Sequence, residues 1–401
     1  MRTGRVSVFI VFVLNGVIAG SWGPRVPAIA EQIGASHGEL GLALFGAPVG
    51  LVMAASFAGR MCARFGARVV VLASAVVAAG VLPVLALVTS PLEFGLVLIV
   101  LGGAFGVFDV AINVAAVTVV RRVERPVMPV FHAGFSFGGL AGALAAALAA
   151  NRGLDLLPYF VVILVASLAV TAGVIGFVPR EDPAAHAGRR RDGPAGLDSS
   201  LLRRPLLWLL GVTLFCAAIA EGSNYDWAAL FGVRERGMSE AGGALLGAVF
   251  CVAMGIVRLL GEQIQRRFGA IRTLVVGAVH AGVGLLLAAI VPSAWVTYAG
   301  YVLAGGGVAM AFPVVLDLAG AVGRRSDGTG GEREVGFVTT IAYLGFLIGP
   351  PLFGGIAELT SLSFAMGFAG VVALLMAPAA LASAAAHRRE EEIAHQMRVA
   401  A

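Results

Sequence analysis

The chain has 401 residues, 59% of them hydrophobic and only 13% charged, with a formal net charge of +5. That balance is too apolar for a soluble domain. Lysine is absent, so all 28 basic residues are arginine, and their spacing along the chain argues against a nucleic-acid surface.

Apolar stretches recur near 6–23, 38–60, 69–89, 94–119, 130–150, 157–178, 205–230, 239–261, 273–291, 295–318, 335–357 and 361–386. Each matches the roughly 20 residues a helix needs to cross a bilayer core about 30 Å thick. The first lacks a small-residue cleavage site and runs into Trp22 and Arg25, which predicts a retained span rather than a signal peptide.

Arginines fill every second gap. One set of gaps holds Arg2 and Arg5, then Arg60, Arg64 and Arg68, then Arg121, Arg122 and Arg125, and continues to Arg388, Arg389 and Arg398. The alternate gaps hold only Arg25, Arg152, Arg234 and Arg236, while Arg258 lies inside a span. Such a bias predicts a multi-pass protein of the cytoplasmic membrane with both termini in the cytoplasm, its arginines against anionic lipid.

The longest hydrophilic interruption, 179–204, carries the run Arg189-Arg190-Arg191 and reads as a cytoplasmic linker. It divides a six-span region 1–178 from a second, 205–388, with a tail at 389–401. The halves echo each other: GRMCARFGAR at 59–68 and GEQIQRRFGAIR at 261–272 share Arg-Phe-Gly. A six-span repeat of this kind is the mark of a parallel duplication. The predicted fold is an all-α membrane protein of twelve transmembrane helices in two pseudo-symmetric six-helix bundles.

Gly59, Arg64, Gly66 and Arg68 also fit the Gly-x-x-x-Asp-Arg-x-Gly-Arg loop of the major facilitator superfamily, which the chain resembles; position 63 is alanine where that family carries aspartate. WGPRVPAI (22–29), GVFDVAINVAAVTVVRR (106–122), FHAGFSFGGLAGAL (131–144), AEGSNYDWAAL (220–230) and YLGFLIGPPLFGGIAELTSL (343–362) resemble its YbjJ-type branch. That branch is similar to rhizopine-related and fucose permeases. The resemblance implies a secondary transporter working by alternating access, with the loop residues 59–68 gating its cytoplasmic side.

Ionisable groups at membrane depth cost roughly 2.5–3.5 kcal/mol even on lenient scales, so each needs a purpose. Gly102, Gly106, Asp109 and Asn113 form one helical stripe; Asp109 is the candidate proton carrier, with Glu221 as a second coupling carboxylate. Glu221, Asn224, Tyr225, Asp226 and Trp227 cluster toward the outer end of the seventh stretch, and Asn15 and Trp22 share a face of the first. Amides, carboxylates and indoles suit a hydroxylated solute. The candidate binding set is Asn15, Trp22, Asn113, Asn224, Tyr225, Trp227 and Arg258. For Arg258 the alternatives are a carboxylate such as Asp109 or Asp317, or an anionic substrate.

Arg25, beside Pro24 and Pro27, is a candidate external gate, and His132, a titratable group at the mouth of the fifth stretch, is a further candidate gating residue. Cys62, Cys216 and Cys251 have no metal or redox spacing. No nucleotide loop, metal triad or nucleophile elbow is present, so neither enzyme activity, metal nor cofactor is expected. The expected partners are a small-molecule substrate, protons and membrane lipids, without nucleic acid, for a monomer. Proton-coupled movement of a sugar, polyol or related solute is the leading reading. Export of a drug or metabolite, and a transport-inactive sensor, are the alternatives.

Overall fold

Hydrocarbon offers the backbone no partner, so each apolar stretch closes its own hydrogen bonds as a helix. The computed structural model describes residues 2–123, 128–179, 199–323 and 331–400, and the elements among them are all helical. Twelve helices there are long and apolar enough to cross a membrane. These spans, numbered 1 to 12, are Thr3–Ile33, His37–Ala54, Ala67–Leu85, Pro91–Val119, Val130–Asn151, Leu156–Ile175, Pro205–Arg236, Glu240–Leu259, Ala270–Ile290, Ala294–Gly323, Arg333–Leu359 and Leu362–Glu390. Residues 180–198 of the expected linker lie outside the described residues, as do Arg125, Arg324 and Arg325 of the charge pattern and Ala401 of the tail.

Several spans run longer than their apolar stretches, span 1 by the most, and proline chemistry explains how it continues. Span 1 passes through a 3-10 turn at Gly23–Arg25 into a short helix, Val26–Ile33. Pro24 and Pro27 fall in the first two positions of those two segments, where no backbone N–H is required. Span 7 continues to Arg236, so Glu221 sits halfway along a 32-residue helix rather than near its end.

The Arg-Phe-Gly repeat is a conformational repeat as well. Gly66 ends the helix of span 2 at φ 80°, ψ 144°, and Gly269 ends the helix after span 8 at φ 76°, ψ 164°. Both backbones occupy a region open essentially to glycine alone. In each copy the arginine lies over its neighbouring phenylalanine, Arg64 on Phe65 at 5.2 Å and Arg267 on Phe268 at 5.8 Å. The first copy adds a bond from Arg68 Nε to the Ile175 carbonyl, 2.7 Å, at the end of span 6.

Lipid-exposed helices gain little from hydrophobic contact with each other, so close van der Waals approach must hold them. Spans 1 and 5 meet through Gly16, Gly20, Gly138 and Gly139; a Cβ on Gly16 would strike the Phe135 carbonyl, and one on Gly20 the Gly139 carbonyl. Spans 9 and 10 repeat the device with Gly277 against Gly307 and Gly284 against Gly300.

The chain forms two compact units. The first takes residues Met1–Arg191 with Asn224–Cys251 and Pro350–Leu362, that is, the first six spans with the segments of spans 7, 8 and 11 farthest from the termini. The second takes Asp192–Ser223, Val252–Gly349 and Ser363–Ala401.

Backbone strain alone distinguishes the loop glycines, because Gly59, Gly66 and Gly269 all have open space where a Cβ would go. Gly66→Ala and Gly269→Ala should each destabilise by about 1–3 kcal/mol. Gly59→Ala, in regular helix, should stay within about 0.5 kcal/mol. Thermal unfolding of the purified variants checks the contrast.

Candidate functional site

Within the first unit, the chain makes a set of polar bonds between distant segments. Arg25, buried at 4% relative exposure, leaves the 3-10 turn of span 1 and reaches Glu240 at the start of span 8, Nη1 to Oε2 at 3.1 Å. Its Nη2 donates to the Leu154 carbonyl at 2.9 Å, and the guanidinium lies 5.7 Å from the centre of the Tyr159 ring. Tyr159 is itself fixed, donating its hydroxyl to the Ser21 carbonyl at 2.9 Å. Beside this, the Gly38 N–H donates to Glu358 Oε2 at 3.0 Å, and a Cβ on Gly41 would come within 2.6 Å of the Pro350 carbonyl.

Deeper in the same unit are polar atoms that the protein does not satisfy. Asn15 Oδ1, both side-chain atoms of Asn224, Trp227 Nε1 and Arg25 Nε are buried without a hydrogen-bond partner. Native interiors leave few such groups, since each costs about 1–3 kcal/mol. Trp227 is fully buried, stacked at 26° on Phe353, rather than lying in an interfacial belt. Asn15 is on the face of span 1 turned from Gly16 and Gly20, which pack on span 5. Trp22, seven residues on, shares that face and is half-buried. Gly23 next to it brings its backbone close to the Tyr225 carbonyl, a Cβ there standing 3.0 Å away. Tyr225 itself is exposed, unlike Glu221 one turn before it.

The stripe on span 4 divides. Gly102 and Gly106 pack on span 2, against Ala47 and Leu51, while Asp109 beyond them is exposed. Asn113, one turn on, and His132, on span 5, are its polar neighbours. Asn113 also donates to the Asp109 backbone carbonyl at 2.8 Å. His132 meets Phe12 edge-on, with ring centres 5.4 Å apart.

In the second unit, Arg258 pairs with Glu221 across 3.8 Å, Nη2 to Oε1. Of the two carboxylates the sequence suggested as its partners, neither Asp109 nor Asp317 takes that place. A helical side chain leans toward the start of its own helix, so Arg258, next to last in span 8, reaches back to the middle of span 7.

Residues 8–330 match the family model of the Major Facilitator Superfamily. The chain belongs to that superfamily. It is 31% identical over 94% of its length, and 95% of the relative's, to an uncharacterized MFS-type transporter of Yersinia pestis. To the membrane protein MosC of Rhizobium meliloti it is 25% identical, covering 94% of this chain and 89% of that one. Among solved structures, the nucleoside transporter NupG superposes with a TM-score of 0.76 at 14% identity, over 96% of this chain and 99% of that one. A bacterial homologue of the human lysosomal transporter Spinster, inward-facing and occupied, gives 0.73 at 15%, over 95% and 96%. At those identities the structural likeness speaks for the fold alone.

The superfamily consists of transporters that bind small-molecule substrates rather than enzymes. Sequence reasoning missed Glu240, Leu154 and Tyr159 around Arg25. An acid in the first turn of span 8 was the available signal.

Arg25→Gln removes every link at this node and should cost roughly 1–3 kcal/mol. Glu240→Gln leaves the Leu154 and Tyr159 contacts and should cost less. Denaturation of both variants in detergent checks the order; equal losses would contradict it.

Proposed function

We propose that this protein carries a small polar solute of the sugar or polyol class across the cytoplasmic membrane by alternating access, driven by protons. The observation that supports this is the unpaired set Asn15 Oδ1, the Asn224 amide and Trp227 Nε1. A buried indole N–H and amide N–H call for acceptors, and two amide oxygens call for donors. A hydroxyl group supplies both, which is why a polyhydroxylated solute matches the set. An apolar drug would leave all of these groups unsatisfied.

Asp109 is the proposed proton carrier. A carboxyl group exposed at membrane depth belongs beside water rather than acyl chains, and His132 and Asn113 give it a second titratable group and a hydrogen-bonding neighbour. Both termini lie in the cytoplasm in this reading, with 1–178 and 205–388 as the two repeats.

Asp109→Asn should reduce pH-gradient-driven accumulation in proteoliposomes to the level seen without a gradient, while solute counterflow persists. Asn224→Ala should weaken solute binding about fivefold to tenfold, one lost hydrogen bond, in both assays alike. Undiminished accumulation by the Asp109 variant would remove it from the coupling role. Failure of every sugar, polyol and sugar acid tested to cross the membrane would overturn the solute class.

A further inference from the structure

Span 10 is not one continuous helix. Its first segment, Ala294–Val308, stops at a two-residue turn, and Ala311–Gly323 resumes the helix. Pro313 explains the break: it has no N–H to offer the carbonyl four residues earlier, which is that of Ala309. A carbonyl released at membrane depth needs another donor. Arg258 Nε supplies it, at 3.1 Å.

That bond orients the guanidinium. With Nε committed to Ala309, the fork formed by Nη1 and Nη2 is turned away from the span 10 carbonyl. Its only ionic partner among the described residues is Glu221 Oε1, and 3.8 Å is an ion-pair separation too long for a hydrogen bond. No other protein group bonds the fork among the described residues. The arginine side chain keeps 34% of its accessible surface, against 10% for Glu221. An arginine fork held by its Nε, accessible and with unused parallel donors, has the geometry that receives a carboxylate through two hydrogen bonds.

We propose that Arg258 is an anion-recognition residue. It takes the carboxylate of the transported solute through Nη1 and Nη2, and Glu221 holds its charge when no solute is bound. The cargo is therefore a hydroxylated acid, a hydroxy-carboxylate of the sugar-acid kind, rather than a neutral polyol. This inference rests on the polar-solute reading above and narrows it.

The ion pair alone, as a purely structural device, predicts something different. A structural pair would make both single variants less stable and leave ligand preference unchanged. A recognition pair moves the two variants in opposite directions, because Glu221 competes with the solute for the same cation.

The test uses the purified full-length chain and a panel of hydroxy acids, each paired with the neutral alcohol of the same carbon skeleton: glucuronate with glucose, galacturonate with galactose, gluconate with sorbitol. Thermal shift and equilibrium binding are read for the wild type, Arg258→Gln, Arg258→Lys and Glu221→Gln. The wild type should bind at least one acid about tenfold or more tightly than its alcohol. Arg258→Gln should lose that preference. Arg258→Lys keeps the charge and the pair but not the fork, and should lose most of it while remaining folded. Glu221→Gln should bind the acid more tightly than the wild type does.

Alcohols bound as tightly as acids by the wild type, or acid preference retained in both arginine variants, would overturn the assignment and leave the polar-solute reading standing. Absence of binding by every member of the panel, acid and alcohol alike, would overturn both. The comparison of acid with alcohol in the wild type needs no variant, so a misfolded mutant does not spare the inference.

Discussion

Everything in this molecule follows from the cost of an unpaired polar group in hydrocarbon. The backbone meets that cost by becoming helix. Where proline breaks a helix, as at Pro313, the released Ala309 carbonyl is capped by Arg258. Where helices approach closely, glycines such as Gly16 and Gly20 allow backbone to touch backbone. Against so consistent a background, three buried uncharged side chains with unsatisfied atoms stand out beside the Nε of Arg25. Asn15, Asn224 and Trp227 are the places where the protein leaves bonds for something else to make.

The polar bonds of the first unit serve a different end. Arg25 with Glu240, and the Gly38 amide with Glu358, join residues more than 200 positions apart in the chain. Each bond is between charged or polar partners. Hydrogen bonds of this kind contribute little net stability where water can replace them. The same economy of interaction does not extend to the glycine contacts, whose backbone approach has no substitute.

Much of the architecture was legible because it depends on length and composition. Twelve apolar stretches became twelve spans, and the Arg-Phe-Gly echo marked two glycines that share one unusual backbone conformation, Gly66 and Gly269. The polar clusters on the first and seventh stretches also located Asn15, Asn224 and Trp227 as groups to watch. The partners of charged groups were not legible. Which carboxylate meets Arg258 depends on the rotation of spans 7 and 8 about their axes and on a side chain leaning toward its helix start. Neither is written in hydropathy. Arg25 posed the same difficulty: its partner Glu240 lies 215 residues away. Asp109 was placed on the glycine stripe by its spacing, yet the glycines turn to span 2 while the carboxylate stays exposed. A helix face is too wide for spacing to resolve that difference.

The most direct test is a density map of the protein frozen with a solute it transports. The account predicts solute density within hydrogen-bonding distance of the Asn224 amide, Trp227 Nε1 and Asn15 Oδ1. Solute seated elsewhere, with these atoms unchanged or bonded to one another, would contradict it.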